Sequence, residues 1–409
     1  MTTTLRVIVD DILAPSPGGN ARYAEDLTRF LIQTAPEGCE VSGVVSSSPN
    51  AEYNRLLDLL PGLAKLNKSA FARRELHKSW QRGIMRLVGG GMVHSPSLLA
   101  PLARHDRLNN AGDQTVVTIH NTLAWTHPDS LSSRDIAWQK TMAKRAFRFA
   151  EAVVVPSHTV AAELDEVMHF GERIRVIGAA ANTHLMLPSD DTARAAALGL
   201  PERYLLAPGG LEPYKGLVPL IQSLAAGVDA GLPLLVVGPV TESYEKSLAK
   251  IVADAGLGEL GVLNNKESSK GHAGSSPASG APVTAPIPRV SLLGDLVDGD
   301  LAVALDRATV FVYPALADGF GMPLLEAFFF GTPVVHSDAP ALVEMSAGSG
   351  VTVAREDAAG YPRRLAAAIA SITGDAEVAK RLSYAGLDRA GAFSWRDAAQ
   401  RVWQLHADL

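Results

Sequence analysis

Short apolar runs alternate along the chain with longer stretches in which apolar residues recur at helical spacing. Tyr23, Leu27 and Leu31 form one such helical stripe. The short runs are rich in Val, Leu and Ile, which is typical of strands buried on both faces of a parallel sheet. In the first half they occupy residues 5–9, 92–94, 115–120, 152–156 and 174–177. This alternation predicts an α/β domain with a parallel sheet.

The same alternation starts again after a looser stretch, residues 186–202, where Pro, Ser and Asp precede a short Ala-rich segment. Apolar runs then recur at residues 204–207, 234–238, 290–294, 309–313 and 333–336. We therefore predict an N-terminal domain (1–185), a linker (186–202) and a C-terminal domain (203–392). A last helix (393–409) is expected to pack back toward the first domain. Residues 266–288 are rich in Ser, Gly, Ala and Pro and are predicted to be a flexible surface insertion.

The composition is that of a soluble globular protein. The 409 residues are 47 % hydrophobic and 20 % charged, which suffices for two large cores. A net charge of −6 argues against general nucleic-acid binding. The single cysteine, Cys39, excludes a disulfide within the chain and a cysteine-based metal cluster. With a strand instead of a signal peptide at residues 5–9 and no apolar run near the ~18 residues of a membrane span, we expect a cytoplasmic protein.

Residues 65–86 form a basic, partly amphipathic segment in this acidic chain. Phe71, Trp80 and Ile84 are interleaved with the charges, and Glu75 is the one acid of the segment. Either a solvated helix face or contact with an anionic membrane surface or an anionic acceptor explains the pattern. Its basic residues are Lys65, Lys68, Arg73, Arg74, Lys78, Arg82 and Arg86.

A short helix is predicted between the apolar runs at 309–313 and 333–336, and residues typical of helix ends mark its start and its end. Pro323 suits its first turn, where a missing N–H costs nothing, and Gly331 suits the position just past its end. Gly319 and Gly321 leave the backbone before the helix with little side-chain cover. Free N–H groups at a helix start bind anions, although a tight glycine turn alone explains the spacing as well.

Two carboxylates flank this predicted anion site, Asp318 in the loop and Glu326 inside the helix. Carboxylates beside an anion site are unfavourable unless they bind hydroxyl groups. A phosphorylated sugar presents both an anion and hydroxyl groups, and it is therefore the ligand that the stretch favours.

Two further loops follow predicted strands. Gly18 and Gly19 lie between the first strand and the first helix, an arrangement that binds phosphate in many α/β proteins. The segment lacks the three spaced glycines of a dinucleotide fingerprint, which argues against a nicotinamide dehydrogenase. His94 and His120 end predicted strands, and carboxyl ends of strands face the ligand crevice in open sheets. Ligand contact is therefore predicted for His120, more than for His94, with a structural role as the alternative.

The loop motifs together resemble those of retaining glycosyltransferases of the GT-B fold, family 4, also called group 1. Residues 318–327, Asp-Gly-Phe-Gly-Met-Pro-Leu-Leu-Glu-Ala, resemble the family signature, and residues 331–335 continue it. The other matching segments are the second phosphate-binding turn (209–216), the N-terminal glycine loop (18–23) and the acceptor-side histidine loop (117–121). The resemblance covers nearly the whole chain and implies two Rossmann-like parallel-sheet domains that face each other across a cleft.

The resemblance implies a role for each matching position. Asp318, where the family usually has glutamate, would face the donor sugar, and His120 would line the sugar and acceptor side. Lys215 would neutralise the pyrophosphate, and Glu326 would hold the ribose hydroxyls. Leu293, in the run at 290–294, would flank the base. The remaining donor contacts would come from Gly18, Gly19, Arg22, Gly209, Gly210, Gly319, Phe320, Gly321 and Met322.

One departure from the family pattern concerns the charge on the leaving group. The family turn usually carries an arginine where Gly210 stands. An arginine binds phosphate through two parallel hydrogen bonds, unlike the point contact of a lysine. Either Arg22 or another cation supplies the missing charge, or activity is low.

The resemblance implies retaining transfer of a hexose from a nucleotide-diphosphate sugar to a hydroxyl of a glycan or lipid-linked acceptor. GDP-mannose is the first expectation for the donor, because residues 126–128 resemble those of mannosyltransferases, and a UDP-sugar is the second. The loop motifs themselves contain no Asp-x-Asp cluster, so neither a metal nor another cofactor is expected. The alternative from another class is a binding or scaffold protein that keeps the fold with weak catalysis.

Overall fold

The computed structural model describes residues 2–14, 18–84, 90–104, 110, 112–227, 231–263 and 287–409. Most of the predicted insertion, residues 266–288, lies outside the described residues. The chain forms two compact units. Unit 1 comprises Met1–Thr183, Ala317–Met322 and Gly391–Leu409, and unit 2 comprises His184–Leu316 and Pro323–Ala390.

Each unit is built on a seven-stranded sheet whose neighbouring strands are all parallel. The strands of unit 1 are β1 (Thr3–Ile8), β2 (Cys39–Ser47), β3 (Lys65–Ala72), β4 (Met92–Ser95), β5 (Gln114–Thr118), β6 (Ala152–Val155) and β7 (Ile174–Val176). Those of unit 2 are β8 (Leu205–Pro208), β9 (Leu234–Val237), β10 (Gly261–Val262), β11 (Val290–Gly294), β12 (Val310–Tyr313), β13 (Val334–Ser337) and β14 (Val351–Val353). The predicted α/β class with two parallel sheets is confirmed.

Helices connect the strands. The first eight are α1 (Gly19–Gln33), α2 (Asn50–Leu59), α3 (Arg73–Arg82), α4 (Leu123–Thr126), α5 (Ser133–Phe149), α6 (His158–Met168), α7 (Asp191–Ala197) and α8 (Leu217–Ala225). They are followed by α9 (Glu242–Asp254), α10 (Asp298–Asp306), α11 (Met322–Phe329), α12 (Pro340–Ser346), α13 (Tyr361–Thr373), α14 (Ala376–Gly391) and α15 (Trp395–Asp408). Within the described part of the chain, none of the helices combines the length and apolar character that crossing a bilayer requires.

The strand order of unit 1 is β3-β2-β1-β4-β5-β6-β7. The chain starts at β1, moves outward to β2 and β3, and returns to β4 on the other side of β1. The loops after β1 and β4 therefore flank the point where the strand order reverses, which is where ligands bind in open α/β sheets. The apolar strand residues are buried on both faces, for example Val7 in β1 and Val117 in β5.

The C-terminal helix α15 belongs to unit 1 and packs on α1. The indole Nε1 of Trp403 donates to the Leu31 carbonyl at 3.1 Å, and that of Trp395 donates to the Ala181 carbonyl at 2.9 Å. Both indoles are almost fully buried, so each hydrogen bond also satisfies a donor that water cannot reach.

The strand order of unit 2 is β10-β11-β9-β8-β12-β13-β14. Its reversal point lies between β8 and β12, so the loops after these two strands meet at one edge of the sheet. The amide of Leu316, after β12, bonds the carbonyl of Tyr214, after β8, at 2.5 Å. The predicted linker contains α7, whose Arg194 pairs with Asp300 of α10 at 2.8 Å within unit 2.

The basic segment at residues 65–86 does not form a single helix. Residues 65–72 are the edge strand β3, and α3 follows at once. Leu76 and Trp80 of α3 are buried against the apolar face of the sheet, while Lys65 and Lys78 are exposed. Lysines on an edge strand hinder pairing with another chain, which is the structural reason for part of the charge. Arg86 lies outside the described residues.

Candidate functional site at the carboxyl ends of the strands

The glycine loop after β1 leads into the first turn of α1. Gly18 caps the helix with φ −108°, and Gly19 is its first residue. A Cβ atom at either position would meet no atom within 4 Å. Neither the backbone conformation nor local packing therefore requires glycine, and the bare helix start leaves room for a ligand to approach the backbone. Arg22 lies partly buried in the same first turn.

His120 follows β5 and is held in one tautomer. Its Nε2 lies 2.7 Å from the Pro96 carbonyl and therefore carries the proton that is donated, which leaves Nδ1 as the acceptor nitrogen. The ring packs edge-on against Tyr23, with 4.6 Å between centroids. Burial lowers the pKa of His120, and the Pro96 carbonyl and the Asp11 carboxylate offset this only in part. His120 is therefore a neutral, oriented imidazole near pH 7.

His94, the other strand-end histidine, points into the interior of unit 1. It is fully buried, and its Nδ1 lies 3.3 Å from Nε2 of His406 in α15. His406 in turn bonds the side-chain oxygen of Gln114 at 3.0 Å. These contacts give His94 a structural role.

The loop that precedes α11 contacts His120 inside unit 1. Oδ1 of Asp318 accepts a hydrogen bond from the Phe320 amide at 3.0 Å, and the Gly319 carbonyl accepts one from Ser157 Oγ at 2.7 Å. A Cβ atom at Gly319 would overlap the carbonyl oxygen of His120. The structure thus places the loop of Asp318 and Gly319 next to the backbone of His120.

The next residues of this loop differ in what they can offer to a ligand. The Phe320 ring is 7 % exposed and packs edge-on against Phe393, with 5.7 Å between centroids. Its side chain is therefore part of the core, and its backbone is what remains for a ligand. Gly321 has φ +86°, a conformation that favours glycine, and it turns the chain into α11 at Met322.

In unit 2, the turn after β8 is held by neighbouring backbone and by Tyr244. The Gly209 amide donates to the Val237 carbonyl at 2.6 Å, and the Gly210 amide lies 3.2 Å from Tyr244 Oη. Gly210 has φ +127°, and a Cβ there would overlap the side chain of Lys215. An arginine at Gly210 is therefore incompatible with this backbone conformation.

Lys215 closes the same turn. Its Nζ lies 3.2 Å from Oε2 of Glu212, and the side chain is 34 % exposed. Gly216 follows with φ +70° and caps α8, where a Cβ would overlap the carbonyl oxygen of Pro314. The ammonium group is thus held at the carboxyl ends of β8 and β12 by a salt bridge that is open to solvent.

Glu326 and Leu293 both lie inside unit 2, each in a different setting. Glu326 is 7 % exposed in α11, a buried carboxylate in the helix that follows the signature loop. The side chain of Leu293 is fully buried in β11. Leu293 can therefore offer only its backbone to a base, and a side-chain contact is excluded.

A polar cluster of unit 1 does not appear among the predicted site residues. Asp10 and Asp11 follow β1, Ser97 follows β4, and Arg73 and His77 lie on α3. The two aspartates directly after the first strand are the sequence signal that could have indicated it. Their partners on α3 are more than sixty positions away, and only the folded chain brings them together.

A cavity of about 1150 Å³ lies elsewhere in unit 1, beside the starts of β1, β4 and β5. It is lined by Thr4, Arg6, Ser42 and Asn67 among others. Because the loop motifs lie at the opposite ends of the strands, this cavity is separate from the candidate site. Among the described residues, no three His, Cys, Asp or Glu side chains lie close enough to hold a metal ion.

Comparisons with known sequences agree with the loop motifs. The sequence model of Glycosyltransferase Family 4 matches residues 17–185, and that of Glycosyl transferases group 1 matches residues 272–375. An alpha-maltose-1-phosphate synthase of Mycobacterium tuberculosis is 36 % identical over 116 residues, which cover 27 % of this chain and 30 % of that protein. This relative is thus matched over less than a third of its length.

Two relatives match over most of their length at lower identity. The O-antigen chain mannosyltransferase B of Escherichia coli is 24 % identical over 87 % of this chain and 84 % of its own. The D-inositol 3-phosphate glycosyltransferase 1 of Catenulispora acidiphila is 25 % identical over 98 % of this chain and 94 % of its own.

Solved structures share the fold over the whole chain. Sucrose-phosphate synthase from Thermosynechococcus elongatus aligns with a TM-score of 0.70 and 20 % identity, covering 100 % of this chain and 99 % of that one. HepE from Anabaena, solved in complex with UDP and glucose, aligns with a TM-score of 0.69 and 17 % identity, covering both chains completely (100 %). These matches and the two family models lead to one conclusion: the chain is a GT-B fold member of the family 4, group 1 glycosyltransferases.

Proposed function

We propose that the protein transfers a hexose from a nucleotide-diphosphate sugar to a hydroxyl group of a glycan or lipid-linked acceptor, with retention at the anomeric carbon. The observation that carries this proposal is the loop Ala317–Met322, which holds Gly319, the residue after Asp318, against the backbone carbonyl of His120 just past the carboxyl end of β5. Carboxylate, backbone amides and a neutral imidazole are groups that bind sugar hydroxyls.

The chemistry that the residues supply is electrostatic. Breaking the bond between the sugar and the diphosphate leaves negative charge on the phosphate oxygens, and fixed donors at that position lower the barrier. Lys215 and the helix-start amides at Gly18 and Gly19 are the groups we assign to this task. No side-chain nucleophile is needed if the acceptor hydroxyl attacks the same face and the departing phosphate takes its proton.

GDP-mannose is the donor that we propose first, and a UDP-hexose is the second. Mannosyltransferases of O-antigen chains are among the relatives, and HepE was solved with UDP and glucose. The two donors differ in the base, which Leu293 and the rest of β11 would contact through the backbone.

Thermal unfolding with a panel of nucleotide sugars tests donor binding directly. A ligand that binds only the folded state raises the melting temperature by mass action, so the correct donor should give the largest shift. We expect Lys215→Ala and Glu326→Ala to reduce that shift, because they remove the cation and the ribose-binding carboxylate. Equal and negligible shifts with every donor would favour the binding or scaffold alternative.

A transfer reaction that needs no metal is part of the proposal. Activity should therefore survive exhaustive treatment with EDTA. Loss of activity that Mn²⁺ restores would contradict it.

Peripheral contact with an anionic membrane, on its cytoplasmic side, is proposed for the basic segment. Lys65, Arg74, Lys78 and Arg82 are exposed there, and Ile84 is 72 % exposed. Each cation near an anionic surface contributes about 1 kcal/mol at low salt. The protein should co-sediment with vesicles that contain phosphatidylglycerol and be released by salt. Absence of salt-sensitive binding would remove this part of the proposal.

A further inference from the structure

A buried carboxylate organises a polar cluster where the strand order of unit 1 reverses. Asp10 follows β1 and is 0 % exposed. Its Oδ1 accepts a hydrogen bond from the Ser46 amide at 2.8 Å, and its Oδ2 lies 2.9 Å from Nε2 of His77 and 3.0 Å from Nη1 of Arg73. Burial alone would raise the pKa of Asp10, but the bonds from His77 and Ser46 and the charge of Arg73 outweigh it, and the pKa is lowered. Asp10 is therefore an anion in the folded protein.

The ionised carboxylate fixes the tautomer of His77. A carboxylate can only accept hydrogen bonds, so Nε2 of His77 must carry the proton. The other ring nitrogen, Nδ1, has no hydrogen-bond partner among the described residues, and the side chain is 26 % exposed. With the proton on Nε2, the neutral form of His77 has an acceptor at Nδ1 on a partly exposed ring, in the way that a buried aspartate orients a histidine toward a hydroxyl group in other enzymes.

The charge of the cluster disfavours an anionic ligand. Arg73 is its guanidinium, and it is already paired with both carboxylates, Asp10 and Asp11. The two carboxylates and the guanidinium together carry a formal charge of −1. Ser97 also donates to Asp11, at 2.6 Å, so the polar groups around His77 are satisfied without a phosphate.

The cluster lies next to the histidine of the candidate site. The backbone that carries Ser97 also carries Pro96, whose carbonyl accepts the hydrogen bond from His120. Asp11 is close enough to His120 to affect its pKa. His77 and His120 therefore lie at the same edge of the sheet in unit 1.

From this geometry we propose that Asp10 and His77 form an acceptor subsite that binds an uncharged, hydroxyl-rich molecule such as a neutral glycoside. Nδ1 of His77 accepts a hydrogen bond from an acceptor hydroxyl, and Asp10 is the positioning residue that holds the ring. The subsite excludes acceptors that present a phosphate ester at this place. The inference rests on the proposed function, because it assigns the acceptor of that reaction.

Two variants of His77 distinguish the roles of its two ring nitrogens. His77→Gln keeps an amide that can donate to Asp10 and removes the acceptor nitrogen, whereas His77→Asn keeps a polar atom near Nδ1 and loses the contact with Asp10. Glu75→Gln, an exposed neighbour on α3, is the matched control. Binding of methyl α-D-mannopyranoside and of mannose 6-phosphate is measured by titration with NMR detection, which needs no turnover.

The expected result is tighter binding of the neutral glycoside than of the phosphate ester by the wild type. His77→Gln should weaken glycoside binding about tenfold, the size of one lost hydrogen bond to an oriented acceptor, and Glu75→Gln should leave it unchanged. Asp10→Asn should weaken it to a similar degree, and combining it with His77→Gln should add little, because both changes remove the same contact. Glycoside binding by His77→Asn that is weaker than in the wild type but tighter than in His77→Gln would add support.

Three results would overturn the assignment: equal glycoside binding by the wild type and His77→Gln, tighter binding of the phosphate ester, or no binding of the neutral glycoside. Thermal shifts with GDP-mannose and UDP-glucose on the same samples keep this test separate from the proposed function. A protein that binds a donor but fails the glycoside comparison contradicts only the acceptor subsite, whereas a protein that binds no donor contradicts the proposed function.

Discussion

At Gly319 the backbone passes so close to the His120 carbonyl that no side chain fits. Gly18 and Gly19 differ, because open space surrounds them and their φ values do not require glycine. Gly319 is explained by packing within the protein, whereas nothing in the surrounding structure requires glycine at the other two positions, and their backbone is open to the ligand that we propose.

Gly319→Ala should therefore lower both stability and activity. The new Cβ overlaps the His120 carbonyl, so the loop or the end of β5 must move, at a cost of about 1–3 kcal/mol. Gly18→Ala is the matched control, and it should fold like the wild type but bind the donor more weakly. Thermal unfolding and donor titration measure the two effects. An unchanged melting temperature in Gly319→Ala would contradict the close approach.

Restoring the family arginine should not improve the enzyme. In Gly210→Arg the side chain must leave φ +127° or clash with Lys215, and the strain is worth about 1–3 kcal/mol. We expect a lower melting temperature and no gain in donor affinity. Gly210→Ala is the control, because it introduces the backbone strain without the added charge. Tighter donor binding by Gly210→Arg at unchanged stability would show that the turn adapts.

At the scale of elements, the apolar pattern predicted most strands of both sheets, including the edge strand β7, and gave no prediction for β2, β3, β10 and β14. β6 and β12 are continuous apolar runs because they are covered on both faces. The pattern gave no prediction for β2, which contains Gly43 and several serines. The edge strand β3 is basic and half exposed, so its sequence has no apolar face to detect.

The attachment of α15 to unit 1 should weaken in acid. Burial lowers the pKa of His406 to about 4, and it also lowers the pKa of His94, where the neighbouring His406 adds to the effect. A histidine in the unfolded chain has a pKa near 6.5, so below that pH the unfolded chain binds protons that the folded chain does not bind. The contribution of these histidines to the free energy of unfolding is therefore complete above about pH 6.5. It decreases as the pH drops toward 4, by about 3 kcal/mol for His406 alone.

Melting temperatures of the wild type and His406→Gln across this pH range test the prediction. A glutamine side chain does not titrate, so the variant should lose less stability on acidification than the wild type does. His158→Gln, an exposed histidine on α6, is the control and should follow the wild type. Parallel pH profiles for the wild type and His406→Gln would contradict it.

For the whole molecule, the two sheets follow the same topological rule. Each sheet starts with a strand in the middle, adds strands on one side and then continues on the other side. The strand order reverses between β1 and β4 in unit 1 and between β8 and β12 in unit 2, so the loops after these strands mark a binding edge. These are the loops at Gly18, at Gly209 and at Asp318. The alternation of strands and helices predicted the two parallel sheets, and the residues after the strands pointed to these loops, but the strand order was not predicted.

The polar cluster of Asp10 and His77 was beyond sequence reasoning for a physical reason. His77 gains its orientation from Asp10, and that contact exists only after β1 and α3 pack on the same sheet. The same holds for Gly210, whose positive φ depends on the path of the turn and not on its composition. Patterns along the chain predict elements, whereas contacts between distant residues decide what a site binds.

Release of nucleoside diphosphate from GDP-mannose and UDP-glucose, in the presence of a neutral glycoside, tests the central claim most directly. The wild type should release diphosphate from one donor in step with a glycoside product of retained anomeric configuration, observed by NMR. Lys215→Ala should slow the reaction by about tenfold or more, since it removes a cation from the leaving group. Equal background release by the wild type and Lys215→Ala with both donors, or a product of inverted configuration, would contradict the account.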